Sequence, residues 1–453
     1  MLNLNIMASF ANDNDALIPE LWARESIAVL EENMVMGNLI HRDFSSEIAQ
    51  YGDVVNTRKP ADMQVARKTD ADTVDYNDAK LNNVAVKLDQ HLYTAFIIKD
   101  GERSQSMQDL LGIHLMPAMK AMGNGIDRAI LGRMAHELIG TPAARVGQLA
   151  KLDSSNAKNT VLAARERMNR TLAHTGGRNL VLAPGSETAI LSDALFLAAD
   201  QRGDGGAALT SAHLGRILGF DTYMDQNVNG IVATSAVDST TTGVDAAGQD
   251  EVTCTSTPAA GQFVNVAGND QPTWALSNTG SAITLNENLK YATASGADVT
   301  LFPAGTTTAA QYDAGYSKGV TLVGIAPSVG QLVAFGATAG ARHTYSVISV
   351  QANGDVLLDR PLDKTVAASA PAFSGPNGDF NVAFNRDAFA LISRPLAQPE
   401  ASMGARSFVA SYNNIAMRAT MQYDIDAQGT KVVLDMLAGT AMLDANLATL
   451  VLG

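Results

Sequence analysis

Hydrophobic residues follow two spacings along the chain, and the changes between them predict the order of helices and strands. Residues 18–40 carry apolar side chains at helical spacing behind Pro19, which predicts an N-terminal helix that stops near Gly37. Residues 51–60 and 82–100 read as extended runs, and a strongly polar stretch separates them. These two runs predict a long β-hairpin with a polar tip.

A long helical pattern follows the hairpin, since apolar residues recur every three or four positions from 104 to 139. Pro117, Gly123 and Gly125 interrupt this pattern, and both residue types weaken a helix. We therefore expect a bend or break near the middle of the helix.

The segment after the long helix mixes short helices with strands. Its predicted elements are a helix at 156–174, a strand at 178–184, helices at 186–200 and 210–218, and a strand at 219–228.

The composition changes from about residue 235 to residue 378. Basic residues become rare, Thr, Gly and Ala become frequent, and short alternating runs follow one another. Asn353-Gly354 joins two of these runs and is a strong hairpin signal. The segment predicts an inserted all-β domain in the form of a small barrel, and the chain as a whole predicts an α+β fold.

Charge and cysteine content narrow the class of protein. Charged residues make up 17% of the 453 residues, below the roughly 25% of ordinary soluble domains, so much of the surface is expected to be buried against other subunits. The net charge of -14 disfavours a nucleic-acid-binding surface, since contacts with phosphates need clustered Lys and Arg. Cys254 is the only cysteine and cannot form a disulfide within the chain.

Targeting signals are missing from the sequence. The first residues lack the basic and apolar regions of a secretory signal, and no run reaches the roughly 18 apolar residues of a membrane span. We therefore expect a protein that is made and kept in the cytosol, translated from Met1 or from Met7.

Motifs for catalysis or cofactor binding do not emerge. There is no phosphate-binding loop, no dinucleotide fingerprint, and no His, Cys or Asp pattern with metal-ligand spacing, so we expect no cofactor, metal or catalytic residue. Ser186 follows a glycine as a nucleophile would, but the flanking pattern favours a helix N-cap. Asp424 and Asp426 in YDID are expected to mark the end of a strand.

The hairpin tip carries ordered charge, basic residues first and acidic residues after them. The candidate contact residues are Arg58, Lys59, Arg67, Lys68, Asp70 and Asp72. An exposed ion pair contributes only about 0–1 kcal/mol, but repetition over many identical contacts can select the neighbour that fits. A loop that is merely solvated is the alternative.

The order of these elements resembles that of the Hong Kong 97-like major capsid proteins of tailed bacteriophages, over nearly the whole chain. LDQHLYTAFIIKDGERSQSMQDLLGIHLMPAMKAMGNGIDRAILGRM is similar to the return strand and spine helix of that family, with Ile126-Asp127 at a common family pattern. GRNLVLAPGSETAIL and LGRILGFDTYMDQNV resemble its axial domain. VAFNRDAFALISRPLA resembles its strand back into the axial and peripheral domains, and MRATMQYDIDAQGTKVVLDMLAGTAML its closing strand and helix.

The resemblance implies a division of the chain into six parts. These are an N-terminal arm and helix (1–50), an extended hairpin or E-loop (51–100), a spine helix with the peripheral domain (101–180), the first part of the axial domain (181–234), an inserted β-domain (235–379) and a closing axial and peripheral part (380–453). The insertion is similar to the extra β-domain of short-tailed phage coats. Arg386 and Asp387 are expected at the start of the returning strand, at a solvent or subunit edge.

The function that the resemblance implies is that of a structural subunit. Such subunits form hexamers and pentamers that close into an icosahedral head around double-stranded DNA, which is enclosed without sequence-specific binding. A separate scaffolding protein, a portal and a decoration protein are the implied partners, with assembly in the host cytoplasm and a final place in the virion. The alternatives are an encapsulin-type compartment shell and an enzyme with a β-rich accessory domain.

Overall fold

The computed structural model describes most of the chain. The described residues are 17–42, 52–59, 65, 67–68, 70, 82–99, 111–193, 212, 214–228, 230–231, 237–308, 310–336, 342–376, 378–399 and 404–453.

The helices are α1 (Leu17–Asn33), α2 (Met36–Leu39), α3 (Met116–Ile139), α4 (Ala157–Arg170) and α5 (Pro184–Leu191), with a π-helical turn at Leu111–Leu115 before α3. The strands are β1 (Val54–Lys59), β2 (Asn82–Lys87), β3 (Gln90–Lys99), β4 (Arg145–Gly147), β5 (Arg178–Leu182), β6 (Arg216–Ile217), β7 (Phe220–Met224), β8 (Gly230–Ile231), β9 (Val237–Thr240), β10 (Glu251–Thr253), β11 (Phe263–Val266), β12 (Thr273–Thr279), β13 (Ala282–Leu285), β14 (Asp298–Leu301), β15 (Ala304–Thr307), β16 (Leu322–Val323), β17 (Leu332–Phe335), β18 (His343–Val350), β19 (Val356–Leu358), β20 (Pro371–Ser374), β21 (Gly378–Asn385), β22 (Phe389–Arg394), β23 (Arg406–Tyr412), β24 (Ile415–Asp424), β25 (Gly429–Met442) and β26 (Ala448–Leu452).

Two sheets form the body of the fold, which is α+β as predicted. A seven-stranded sheet has the order β4-β26-β21-β5-β7-β6, with β8 added to β21. In the five-stranded sheet β25 is central, because it pairs with β3 along one edge and with β24 and then β22 along the other. One large core joins α1, α3 and the facing sides of both sheets. The long helix is therefore the element on which the body is assembled.

The hairpin was predicted with a single return strand, and the structure contains two. β2 pairs with β1 from Val54↔Lys87 to Lys59↔Asn82. β3 instead pairs with β25, from Gly429↔Lys99 to Ala438↔Gln90. The change of partner falls at Leu88, which is fully buried. The hairpin thus leaves the body directly from a strand of the five-stranded sheet.

The break predicted in the middle of the long helix is absent. α3 is continuous from Met116 to Ile139, and Pro117 lies in its first turn, where a missing N–H costs little. Gly123 lies inside the helix against Leu30 of α1 and Met34 just after α1, so packing offsets its low helix propensity. A bend at Gly123 or Gly125 stays a prediction.

Elsewhere in the body, three predicted helices need correction. The predicted helix at 210–218 contains instead the strand β6, which turns into β7 through Leu218 and Gly219, both at positive φ. The predicted helix at 186–200 begins earlier, at Pro184, and its described part ends at Leu191. Residues 417–443 were compared with a strand and a helix, but they form β24 and β25. Residues 434–439 of β25 are buried at every position, so this strand is covered on both faces, and such a short run is hard to distinguish from a buried helix.

The insertion is not one small barrel. It leaves the body after β8 and returns at β21, where Ile231 pairs with Gly378. Between them lie two six-stranded sheets, the first from β9–β14 and the second from β15–β20. Each sheet has its own hydrophobic core, and a third, aromatic cluster joins the two.

Candidate assembly interface

The extended hairpin presents the charge predicted at its tip. Arg67, Lys68 and Asp70 are exposed, and Val65 between the strands is fully exposed. Arg58 and Lys59 belong to the distal end of β1, opposite Asn83 and Asn82. Asp72 lies outside the described residues.

Hydrophobic contact holds the base of this hairpin to the body. Val86 and Leu88 are buried with Leu437 and Ile392 of the five-stranded sheet, and Val55 packs against them. The part of the hairpin beyond this cluster contains the charged residues. A two-stranded hairpin is marginally stable by itself in water, so a hairpin that leaves the body favours a neighbour on which to lie.

Arg386 and Asp387 lie at a crossing between the two body sheets. The run FNRDAFALISRPLA divides into the end of β21, a 3₁₀ turn at Arg386–Ala388, and β22 in the other sheet. Both charged side chains are exposed, and the Asp387 carboxylate lies 3.6 Å from the His41 imidazole. Their predicted contact with a neighbouring subunit stays a prediction.

A buried carboxylate fastens the N-terminal helices to α3. Asp127 is completely buried and accepts hydrogen bonds from the N–H groups of Val35 (2.8 Å) and Gly37 (3.0 Å). Burial, and then the charge of Asp225, raises the pKa of Asp127 to about 7. The sequence identified Ile126-Asp127 as a family pattern, but it did not indicate which backbone groups the carboxylate would hold.

A second charged cluster crosses three strands of the five-stranded sheet. The Arg418 guanidinium on β24 donates from Nε to Asp435 Oδ1 on β25 at 2.9 Å. His91 Nε2 on β3 lies 3.4 Å from the other oxygen of Asp435. Burial by itself would raise the pKa of Asp435, but hydrogen bonds from His91 and Arg418 outweigh it and hold that pKa below its ordinary value. The sequence reading missed this cluster, because its members are distant along the chain.

Ser186 is not the N-cap of α5 that the sequence predicted. α5 begins at Pro184 with Ala183 at the cap position, so Ser186 lies in the first turn and is buried. Its hydroxyl donates to the Asp379 carboxylate at 2.7 Å and accepts from the Asn381 amide at 2.8 Å. An acid and an amide hold this serine, and neither is the histidine base that would activate it. The network joins α5 to β21.

Other candidate sites in the sequence have structural roles. β24 ends at Asp424, as the YDID pattern predicted, and the carboxylate of Asp424 pairs with Lys431 across the turn. Cys254 is buried in the core of the first inserted sheet, and burial raises the pKa of its thiol to about 11. Within the described part of the chain, no three His, Cys, Asp or Glu residues are grouped as metal ligands would be. Among the described residues, no helix is both long enough and apolar enough to cross a bilayer.

Comparisons with known proteins return solved phage structures. No family model matches the chain, and no curated protein matches it. A structure from Mycobacterium phage Che8 is similar at 13% identity over 92% of this chain and 90% of that one, with a TM-score of 0.44. The capsid of the cyanophage P-SCSP1u follows at 10% identity, 89% and 84% coverage and a TM-score of 0.40. The mature capsid of bacteriophage PhiM1 gives 9% identity, 89% and 82% coverage and a TM-score of 0.40. All three scores lie below 0.5, and the function proposed below rests on the architecture of this chain.

Proposed function

We propose that the chain is a major capsid protein with the Hong Kong 97-like fold, which self-assembles into an icosahedral phage head around double-stranded DNA. One observation carries the proposal: β3 pairs with β25 along its whole length, and the extended hairpin joins the fold at the start of β3. A helix of 24 residues runs beside this sheet. The sequence resemblance implied an extended hairpin followed by a long helix, and these two elements support the proposal.

The geometry suits a subunit that binds its neighbours through extensions. The hairpin base is anchored in the cluster around Leu437, while its charged end lies beyond that cluster. Because each subunit of a closed shell makes the same contact, small contributions add up over the lattice. The exposed residues Arg67, Lys68 and Asp70 are the contact residues that we propose for the hairpin.

The finer parts of the proposal follow from the same assignment. Subunits form hexamers and pentamers, a separate scaffolding protein and a portal take part in assembly, and a decoration protein is a further candidate partner. The DNA inside is enclosed without sequence-specific contacts, in keeping with a net charge of -14. Assembly takes place in the host cytoplasm and the product is the virion.

Co-expression with the neighbouring genes tests this function. The chain is expressed alone and beside candidate scaffold genes, and each product is analysed by sedimentation and by negative-stain electron microscopy. Closed shells of uniform diameter support the proposal. A monomer or small ring in every preparation contradicts it. That result would favour the alternative, an enzyme with a β-rich accessory domain.

An arginine variant tests the edge at the sheet crossing. Arg386→Ala subunits are expected to assemble with reduced yield, because the exposed turn at Arg386–Ala388 is proposed to meet a neighbour. Unchanged yield and shell stability would remove Arg386 from the interface while leaving the capsid assignment intact.

A further inference from the structure

We propose that the insertion consists of two tandem copies of one six-stranded barrel. Both copies bind the body and so restrain the C-terminal half of α3, an arrangement that we call the splint. Repeat A denotes residues 237–302 and repeat B residues 304–374. The inference concerns the fold of the single chain and does not depend on the capsid assignment.

The strand order of the two repeats is the same when each is closed into a ring. With the strands of each repeat numbered one to six, repeat A has the order 2-5-4-3-6-1 and repeat B the order 2-1-6-3-4-5. A bridge between Thr241 and Cys254 joins strands 1 and 2 of repeat A. A bridge between Val320 and Val356 joins strands 2 and 5 of repeat B. Both rings then have the strand order 1-2-5-4-3-6. The two repeats share this topology, and they differ in which pair of neighbouring strands is joined only by a single bridge.

A Gly-Gln pair opens the third strand of each repeat with the same hydrogen bonds. Gly261 and Gly330 both have positive φ, and their N–H groups donate to the fourth strand at 2.7 and 2.8 Å. The side-chain oxygens of Gln262 and Gln331 accept the N–H three residues earlier, at 2.8 and 2.9 Å. These paired distances agree within 0.1 Å, at positions 69 residues apart.

Further equivalent contacts run through both repeats. Ala297 N–H donates to the Thr241 hydroxyl at 3.0 Å, and Ala370 N–H donates to the Thr307 hydroxyl at 3.0 Å. The strand 4–5 ladder also shifts register at the same place, between Ala275 and Ser277 in repeat A and between Val347 and Ser349 in repeat B. A bulge is a specific feature rather than a default of a ladder, so its recurrence is strong support for one module used twice.

The exit of the fifth strand faces the body in both repeats. In repeat A the residue after this strand, Asn286, accepts the Trp274 N–H, and the next residue, Glu287, pairs with the buried Arg145 of β4. In repeat B, Asp359 accepts the Ser346 N–H at 2.9 Å, and its carbonyl accepts from the Gln90 side chain of β3 at 2.7 Å.

Additional contacts make each fastening specific. Leu149 N–H, just after β4, donates to the Asp270 carbonyl of repeat A at 2.8 Å. Arg128 of α3 donates to the Ile348 carbonyl of repeat B at 3.1 Å. Gly132 of α3 approaches so closely that a Cβ there would lie 2.7 Å from the Ser346 Cβ. Repeat B therefore holds the C-terminal half of α3, and repeat A holds the strand that follows the helix.

An aromatic joint connects the two repeats, each of which keeps its own hydrophobic core. The Arg342 guanidinium of repeat B lies 4.2 Å from the Phe263 ring centroid and 4.7 Å from that of Trp274, both in repeat A. Its Nη1 donates to the Gly261 carbonyl. Because the joint is buried, the folded repeats are expected to keep one relative orientation, although each can open through its own core. Gly123 and Gly125 lie outside the splinted half of α3. Any bend of the helix would then be confined to its N-terminal half.

Hydrogen exchange of the full chain, read by mass spectrometry, tests the repeats with a matched pair of variants. Val264→Ala and Val333→Ala remove the same two methyl groups at equivalent, fully buried positions. Each is expected to speed exchange about tenfold or more in its own repeat, with a much smaller effect in the other repeat. Equal acceleration in both repeats from either variant would show one indivisible domain and overturn the proposal.

Charge variants test the splint itself. Glu287→Arg, or the milder Glu287→Gln should the reversal fail to fold, is expected to speed exchange several-fold at residues 145–150 and in the C-terminal half of α3. The double variant Arg145→Glu with Glu287→Arg is expected to restore protection in part. Unchanged exchange in these segments for every foldable variant would show that repeat A does not hold the body, and would overturn the splint.

Discussion

Asp127 accepts the backbone N–H of Gly37 at 3.0 Å, and this contact ties α2 to the spine helix from a residue ninety positions away. The same carboxylate accepts from Val35, so one buried side chain satisfies two backbone donors between α1 and α2. We predict that Asp127→Asn lowers the free energy of unfolding by about 1–3 kcal/mol, because an amide leaves one of these donors without an acceptor.

Chemical denaturation of the purified chain measures this loss. Asp250→Asn, on an exposed turn of repeat A, is the matched control and should change stability little. Equal effects of the two variants would mean that Asp127 does not fasten the N-terminal helices.

The raised pKa of Asp127 predicts a pH dependence of opposite sign to that of an ordinary ion-paired carboxylate. Burial and the neighbouring Asp225 raise the pKa of Asp127 to about 7 in the folded state, against 3.8 when unfolded. Arg128 is a nearby cation, and its charge acts to lower the pKa of Asp225. Between these values the folded state holds a proton that the unfolded state has lost, so stability falls as pH rises. We predict a decline of about 2 kcal/mol from pH 5 to pH 7 in the wild-type chain relative to Asp127→Asn. Parallel pH profiles for the two chains would contradict this.

The pair formed by Arg418 and Asp435 predicts a large loss when one member is removed. Asp435→Asn leaves the mostly buried guanidinium without its counter-charge, and we expect about 3–5 kcal/mol of destabilisation in urea or thermal unfolding. Asp424→Asn removes the partner of Lys431 at the exposed end of the same ladder and is expected to have little effect. Similar losses for both variants would show that the Arg418 pair is no more important than a surface one.

Two glycines of α3 predict opposite responses to alanine. Gly132→Ala forces a Cβ against Ser346 and Asp359 of repeat B and should destabilise the chain by about 1–3 kcal/mol. Gly125 has open space around it, so Gly125→Ala should stabilise by up to about 1 kcal/mol through helix propensity. Thermal unfolding of the two variants checks both signs. A neutral Gly132→Ala would mean that repeat B is not in close contact with the helix.

The hairpin charges predict a defect in assembly without a defect in folding. Reversal of Arg67 and Lys68 to glutamate is expected to reduce the yield of shells several-fold, since both side chains are exposed and have no role in the core. Lys158→Glu, exposed on α4, is the control of equal charge type. Circular dichroism confirms folding, and sedimentation measures shells. Full assembly of the hairpin variant would show that Arg67 and Lys68 are merely solvated and make no contact that assembly needs.

Local patterns in the sequence predicted helices and strands correctly only where the spacing was unambiguous. α4, β5 and the hairpin strand β1 matched their predicted positions closely, because helical or alternating spacing there was bounded by glycine or proline. The resemblance implied a helix where β25 lies, and the consecutive buried residues 434–439 leave no alternating pattern that would have indicated a strand. The duplication in the insertion was hidden, since apart from short matches such as the Gly-Gln pair the repeats share geometry rather than residues.

Only part of the candidate interface could be predicted, because local patterns do not show which distant residues meet. Exposed charge at the hairpin tip can be read from composition, but the contacts of Asp127, Asp435 and Ser186 join residues that the sequence separates by tens to hundreds of positions. Ser186 illustrates the limit: its sequence neighbours favoured an N-cap, whereas Asp379 and Asn381 on a distant strand fix its hydroxyl.

A cryo-electron microscopy reconstruction of the assembled particle tests the central claim most directly. The account predicts a closed icosahedral shell in which the hairpin formed by β1 and β2 of each subunit lies on a neighbouring subunit, with its charged tip at that contact. A preparation without closed particles, or a shell in which every hairpin contacts only its own subunit, would contradict the account.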